Sequence, residues 1–328
     1  MRLAPQIRAL LDDPAPLRRA QECHAAAFES WRTAGETAAL FDAFAAFARG
    51  APLAALPALS GLFDPAGGGA MRLAKGLVAG LLPALAAEPF GQVPVRHQTN
   101  RAVTRLMLAR ECDATLTLMV LDGAGLALEP PARSISFAAA EEWDVVLAGR
   151  GEGRLVERRG TASPVAHPLE LLPGVALGRD AAAEALLIDA ASPSLVLLRL
   201  QRRRSAEAAT PVREYDLASG GLLHQSASSP RESRHEIAVA LLGRMGRKDA
   251  APLLAEIAGE TARGDSLRWQ ALRECLGLNT LAGFRALLAV ARTQGDPLAA
   301  PAGALRAQLL EHYPALAGID QEPDHCHA

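Results

Sequence analysis

Residues Glu184 to Leu200 read EALLIDAASPSLVLLRL. Two aliphatic runs, Ala185 to Ile188 and Leu195 to Leu200, lie on either side of Ser192-Pro193. The stretch therefore predicts two buried strands about a Ser-Pro turn. Working outward, the region from Arg96 to Arg204 is the long segment that reads as strands. Thr104 to Met107, Thr115 to Leu121, Arg133 to Phe137, Trp143 to Leu147, Arg154 to Glu157 and Leu169 to Leu172 bring the set to about eight short strands, with Asp122-Gly123 as one of the turns between them. Short strands at this spacing belong to an all-β sandwich or barrel. Residues 88–100 (EPFGQVPVRHQTN) carry two prolines and no helical period, and lead into it.

Both flanks read as helical. Toward the N-terminus, Leu17 to Trp31 and Glu36 to Ala48 have apolar residues at helical spacing, with Leu40, Phe41, Phe44 and Phe47 on one broad face. Thr33 and Glu36 have the spacing of a capping box. A further helix is expected from Ala70 to Ala86. Its apolar run, Gly76 to Ala87, contains Pro83 and falls short of the ~20 residues a membrane span needs, so a buried helix is the preferred reading. The glycine run before it, DPAGGG at 64–69, has a basic residue, Lys75, one turn into the helix. It lacks G-x-x-x-x-G-K-[ST] and a preceding strand, so it reads as a flexible loop rather than a phosphate cradle. The charges in MRLAPQIRALLDDPAPLRR stand where a signal peptide needs an apolar core.

Toward the C-terminus, residues 201–230 are polar and poor in aromatics and read as a linker or surface hairpin, with Tyr215 to Gly221 as a small turn. Beyond them the chain repeats. RHEIAVALLG, from Arg234, lies over RWQALRECLG, from Arg268, and at the same offset of 34 residues Leu253-Leu254 falls on Leu287-Leu288. One register thus aligns two successive helices in each unit, which is the mark of stacked helix pairs. A partial third unit runs from Asp296 to Tyr313.

Composition narrows the function classes. Half of the 328 residues are hydrophobic, 21% are charged, and the net charge is -2, which lacks the basic excess of a dedicated nucleic-acid binder. The four cysteines, Cys23, Cys112, Cys275 and Cys326, form no CxxC, so a disulfide framework is not expected and a reducing cytoplasm fits.

The segment SFAAAEEWDVVLAG, Ser136 to Gly149, resembles the first motif of cupins. In that family H-x-H is followed three or four residues later by a glutamate, and after six further residues a glycine closes the motif. Glu142 and Gly149 occupy the last two places, and the strand Trp143 to Leu147 lies between them. The histidine places fall on Ser136 and Ala138. The second motif, at LELLPGVALGRDAAAEALL from Leu169, has its strand and turn and no histidine. The resemblance implies a cupin-like β-sandwich without the metal-binding histidines, and it disfavours metal-dependent chemistry there. The C-terminal units resemble HEAT-type repeats: an arginine opens the first helix, and a short turn, Gly246 to Asp249, leads to the second.

Several residues carry candidate chemistry. Arg96 and His97, before the first expected strand, are placed to bind an anionic ligand at a barrel mouth or to hydrogen-bond a sheet edge. Glu142 and Asp144 share one face of a strand, as a pair for acid–base work must. The plainer reading is an exposed acidic strand facing Arg150, Arg154 or Arg158. Arg199 to Arg204 (RLQRRR) is the densest basic run and reads as a solvated strand end. His167 precedes a proline in an expected loop. Cys112 and Cys275 sit in apolar contexts typical of buried, inert thiols. The tail, Asp324-His325-Cys326-His327, offers His325, Cys326 and His327 as ligands for a divalent transition metal, although a fourth ligand would have to come from elsewhere. No resident cofactor is expected.

The expected fold is α+β: a helical N-terminal segment (1–90), a cupin-like antiparallel β-sandwich (91–204), a linker (205–230), HEAT-like helical repeats (231–316) and a flexible tail (317–328). The expected function is a cytoplasmic, non-catalytic interaction or regulatory protein. Its cupin-like module would bind a small ligand or a protein, and its repeats would form a scaffold for a protein partner. The alternative is an enzyme or enzyme-complex subunit with an acid–base site of isomerase or lyase type, or a metal-dependent one. Neither nucleic acid nor membrane is an expected partner, and a homodimer is carried as a fold-level analogy. Burial discriminates between the readings. An enclosed polar pocket at Glu142 and His97 would favour the enzyme, and an aliphatic-filled interior the scaffold.

Overall fold

The computed structural model describes residues 13–158, 160, 163–204, 211–227 and 230–320. The chain divides into two compact units. The first contains helices α1 (Ala15–Arg32), α2 (Gly35–Ala48), α3 (Pro57–Ser60) and α4 (Gly69–Ala87), followed by strands β1 (Arg96–Thr99), β2 (Val103–Glu111) and β3 (Ala114–Asp122) and a one-turn helix α5 (Gly123–Ala127). After β4 (Ser134–Phe137) come β5 (Ala140–Glu157), β6 (Val165–Leu171), β7 (Ala176–Asp180) and β8 (Glu184–Arg203). The architecture is α+β, with the antiparallel sheet between two helical regions.

The sheet order is β1-β2-β3-β8-β5-β6, and β7 also pairs with β5. Sequence reading split its two longest strands. Residues Glu184–Arg203 form one 20-residue strand, and Ala140–Glu157 one of 18. Ser192-Pro193 is therefore not a turn. Gly149 opposes Leu195 while Arg150 opposes Ser192, so Pro193 and Ser194 bulge out of the β5–β8 ladder, although Ser194 still opposes Asp122 of β3. A bulge is where a strand interior tolerates proline, which has no N–H to give. Gly149 accommodates it: its φ is +81°, and a Cβ there would lie 1.8 Å from the Ser194 carbonyl oxygen. Past this bend Leu169, Leu171 and Ile188 turn back onto Met119, Leu121, Val146, Leu195 and Leu197 and enclose an apolar core.

The opposite face of the sheet is covered by helices. Leu116, Leu118, Val145, Leu147, Leu198 and Leu200 share one core with Phe41, Phe44 and Phe47 of α2 and Leu73, Leu77 and Leu81 of α4. Strand alternation puts these residues on one face and the Met119 set on the other. Phe47 is fully buried, edge-on to Trp143 at 5.6 Å. The expected capping box does not form. α2 starts at Gly35, and the Thr33 hydroxyl donates back to Glu29 O at 2.8 Å. α4 is longer than its apolar run suggested. At 19 residues it is long and apolar enough to cross a membrane by length and composition alone, and its Leu73, Leu77, Leu81 stripe is packed into the core. In the glycine loop before it, Gly68 takes a φ of +60° and Arg72 donates to Gly67 O at 2.7 Å.

The second unit includes β9 (Val212–Asp216), β10 (Leu222–Ser226), α6 (Pro230–Arg244), α7 (Ala251–Gly259), α8 (Asp265–Leu278), α9 (Thr280–Arg292), α10 (Ala299–His312) and α11 (Ala317–Asp320). Strands β9 and β10 form a hairpin within the polar stretch 205–230, in a small sheet of order β10-β9-β4. Helices α6/α7 and α8/α9 fall in the two aligned units, and α10 in the partial third. Val239, Ala251, Leu254, Leu267, Ala271 and Cys275 form the core between the first pair and α8. Phe284, Leu287 and Leu298 form the next, with Leu316 and Ile319 folded against it. Inside it the Arg268 guanidinium, 1% exposed, donates to Ala258 O at 3.0 Å and grips the equally buried Asp296 with both Nη atoms.

Candidate functional site

Cross-strand register defines the site. Directly opposed residues of an antiparallel sheet share a face. Arg96 opposes Met107, Met107 opposes Thr117, Thr117 opposes Arg199, Arg199 opposes Asp144, and Asp144 opposes Leu177. This row crosses six strands. On one side of it runs a polar row, Thr115, Gln201, Glu142 and Arg179. On the other runs Gln98, Arg105, Met119, Leu197 and Val146. The interior face thus grades from polar to aliphatic along the strands. It is neither the enclosed polar pocket nor the filled barrel.

Glu142 and Asp144 share a face, as expected, but the plainer reading of an exposed strand is corrected. Asp144 is 2% exposed and Glu142 9%. Their partners are not Arg150, Arg154 or Arg158. Arg179 donates through Nη1 to Asp144 Oδ2 at 2.6 Å and through Nη2 to Glu142 Oε2. Arg199 Nε donates to Asp144 Oδ1 at 2.7 Å and its Nη2 to Oδ2 at 3.1 Å. Gln201 Nε2 donates to Glu142 Oε1 at 2.7 Å. Every carboxylate oxygen is occupied by a donor. Burial alone would push the Asp144 carboxyl above its ordinary pKa, but the charges and hydrogen bonds of Arg199 and Arg179 outweigh it and hold the group below the usual carboxylate range. Arg199 is held cationic in turn: desolvation opposes its charge, and Asp144 and Glu142 overcome that. The set is two cations against two anions, neutral and locked. Neither carboxylate is without a guanidinium partner.

Beside this quartet an open cleft of about 300 Å³ is lined by Arg96, His97, Gln98, Arg105, Met107 and Thr117. Thr117 belongs to both places, since it lines the cleft and opposes Arg199. Arg96 and Arg105 are diagonal neighbours on one face, and both are exposed. Among the described residues neither has a carboxylate partner. His97 lines the cleft with Arg96, although it opposes Leu106 and strand alternation sets its side chain toward the other face. Sequence reading missed Arg105, Arg179 and Gln201. A larger cavity, about 340 Å³, lies among the N-terminal helices, with Glu36 and Arg72 both in its lining.

Other expectations are corrected too. The run Arg199 to Arg204 is not a solvated strand end. Arg202 donates to Phe47 O at 2.7 Å and Ala51 O at 2.8 Å, stacks over the Phe47 ring at 4.0 Å and pairs with Glu141. Arg203 pairs with Asp113 and Arg204 with Asp180. Cys112 is exposed, at a φ of +47° in the β2–β3 turn, whereas Cys275 is buried with its thiol pushed up by desolvation. His167 is exposed on strand β6, 4.0 Å from Glu157. His325, Cys326 and His327 lie outside the described residues. Among the described residues no group of three or more His, Cys, Asp or Glu is arranged to hold a metal ion.

No family model and no curated protein matches the chain. Solved structures do. The β region is similar to solved cupins. One is a cupin superfamily protein from Desulfitobacterium hafniense DCB-2, with 11% identity, 33% of this chain and 83% of that one covered, and a TM-score of 0.23. Another match is KdgF from Halomonas sp., with 18% identity, 34% and 91% covered, and a TM-score of 0.24. A third is the 7S globulin of Momordica charantia, with 12% identity, 38% and 36% covered, and a TM-score of 0.26. These likenesses concern the fold of about a third of the chain.

Proposed function

We propose that this chain is a non-catalytic interaction or regulatory protein. In this reading its β unit is a metal-free cupin-like module that binds a small anion in the cleft, and its HEAT-like helical repeats form a scaffold for a protein partner. The observation that carries it is the contrast between two sets of charges on one face. The buried arginines are spent on carboxylates, while Arg96 and Arg105 stand beside the cleft without acidic partners among the described residues. Two guanidinium forks on adjacent strands suit a carboxylate or a phosphate, each of which accepts paired N–H donors. Met107 and Thr117 would contact the rest of the ligand. What speaks against the acid–base alternative is the locked state of Glu142 and Asp144.

The test is calorimetric titration of the full chain with inorganic phosphate and with succinate, in low salt. Saturable binding of either is expected. Since a hydrogen bond to a charged group contributes ~1.5–3 kcal/mol, Arg96→Ala or Arg105→Ala should weaken it by about ten- to a hundredfold. No saturable heat with either anion, or equal binding by the double variant, would overturn the proposal.

A further inference from the structure

The cavity of about 340 Å³ in the first unit lies where α2 and α4 begin. Glu36 and Leu40 line it from α2, and Gly69, Arg72 and Leu73 line it from α4. Residues at i, i+3 and i+4 are neighbours on a helix surface, so Glu36 shares a face with Leu40, and Arg72 and Leu73 share one with Gly69. Leu40, Leu73 and, from the turn after α3, Leu62 are buried, whereas Glu36 and Arg72 are exposed. A helical side chain leans toward the N-terminus of its own helix, which carries both charges to the helix starts. The cavity thus grades from a charged rim to an apolar base. Gly61 leaves one wall open: a Cβ built there meets nothing within 4 Å.

The two rim charges are opposite in sign and do not pair. Among the described residues the Glu36 side chain has no hydrogen-bond or ion-pair partner, although Arg72 lines the same cavity. Arg72 donates through Nη1 to Gly67 O at 2.7 Å and has no carboxylate partner among the described residues. That anchor leaves the Nε–Nη2 edge of the guanidinium, whose two parallel N–H groups match the two oxygens of a carboxylate. Opposite charges that line one cavity without meeting each other suit a ligand that carries both. A simple acid or a simple amine would match one of them and bring nothing to the other. The volume is at the lower end of the ~300–1,000 Å³ of small-molecule sites, which restricts the ligand to a small metabolite. The buried leucines at the base call for an aliphatic group on it.

We infer that this cavity binds a free α-amino acid with an aliphatic side chain, its carboxylate on Arg72, its ammonium on Glu36 and its side chain on Leu40, Leu62 and Leu73. The inference does not depend on the cleft reading, which concerns the sheet. The experiment is calorimetric titration of the full chain with L-leucine at neutral pH. Saturable one-to-one binding with a Kd below about 1 mM is expected. L-leucinamide lacks the carboxylate and N-acetyl-L-leucine lacks the ammonium, and each should bind about ten- to a hundredfold more weakly. Arg72→Gln should weaken leucine by a similar factor and remove the difference between leucine and leucinamide. Glu36→Gln should do the same for leucine and N-acetyl-leucine. A variant that had merely lost its fold would not erase one difference and keep the other. Gly61 has a φ of -62°, open to any residue, so Gly61→Leu should fill the cavity and remove binding while circular dichroism stays unchanged. No saturable heat with leucine, or either analogue binding as well as leucine, would overturn the inference. So would binding that a folded Gly61→Leu retains, since the ligand would then lie elsewhere.

Discussion

Replacing Arg179 with methionine removes the side chain that hydrogen-bonds both Glu142 and Asp144. The Arg179 and Asp144 side chains are each 2% exposed and that of Glu142 is 11% exposed, so solvent cannot take over. Asp144 keeps Arg199, but Glu142 is left with Gln201 and an Arg199 nitrogen 3.9 Å away. The face then holds two buried anions against one cation. Breaking a buried pair by removing one partner costs about 3–5 kcal/mol, because the remaining charge is uncompensated. Urea unfolding at neutral pH, read by tryptophan fluorescence, measures it. Trp31 and Trp143 lie in the first unit and Trp269 in the second, so a Trp269→Phe background restricts the signal to the affected unit. The pH dependence adds a second reading. Folding holds Asp144 below its ordinary range, so its contribution is complete above the unfolded value near 4 and is lost as pH falls through the folded value. In the variant the folded group protonates at a higher pH, which relieves the extra charge first. The gap between the two proteins should therefore narrow toward acid. A loss under about 1 kcal/mol, or a gap that widens with acid, would refute the account of the quartet.

Two further outcomes follow from the same geometry. Arg268→Met, which abandons the buried Asp296, should destabilise the second unit by about 3–5 kcal/mol in urea. The hydrogen bond from Arg268 holds the Asp296 carboxyl below its usual range, so wild-type stability from this pair should likewise be present above pH ~4 and fade in acid. Gly149→Ala, at a φ of +81° with a Cβ forced to 1.8 Å from a backbone oxygen, should cost at least about 3 kcal/mol by the same denaturant titration. A cost below about 1 kcal/mol would mean that the bend accommodates a side chain after all.

The sequence was most informative where periodicity and burial agree. The aliphatic alternation of Leu195 to Leu200, the phenylalanine face of α2 and the 34-residue offset each report a packed surface, and each marks an element that is present. It was least informative where two distant residues meet. Glu142 and Asp144 could be placed on one face by counting, but Arg179 lies 37 residues from Glu142 and Arg199 55 from Asp144. Those partners follow from strand order, which no local pattern contains. The same limit hid the continuity of β8. Ser-Pro ordinarily ends a strand, and only the opposed Gly149 turns that break into a bulge. Arg105 went unnoticed because strand β1 reads as an irregular lead-in: without β1 beside it, Arg105 has no neighbour with which to form a cleft.

Arginine density is a poor guide to which guanidinium groups the fold leaves without a carboxylate, for a physical reason. A run such as RLQRRR suggests a binding surface because the charges are close in sequence. On a strand, however, successive side chains point to opposite faces, so the run is divided between two environments before any ligand arrives. Arg199 turns inward to Asp144, while Arg202 crosses to the helical face and caps carbonyls at the end of α2. Each is consumed by the fold, because a guanidinium beside a core must find an acceptor or remain desolvated. Arg96 and Arg105 are sparse in sequence, yet they lie on the outer two strands of the sheet, where the interior face opens into the cleft. What makes a cation available to a ligand is its position relative to the core and to carboxylates. By that criterion the edge of the sheet, not its richest arginine run, is where an anion would be held.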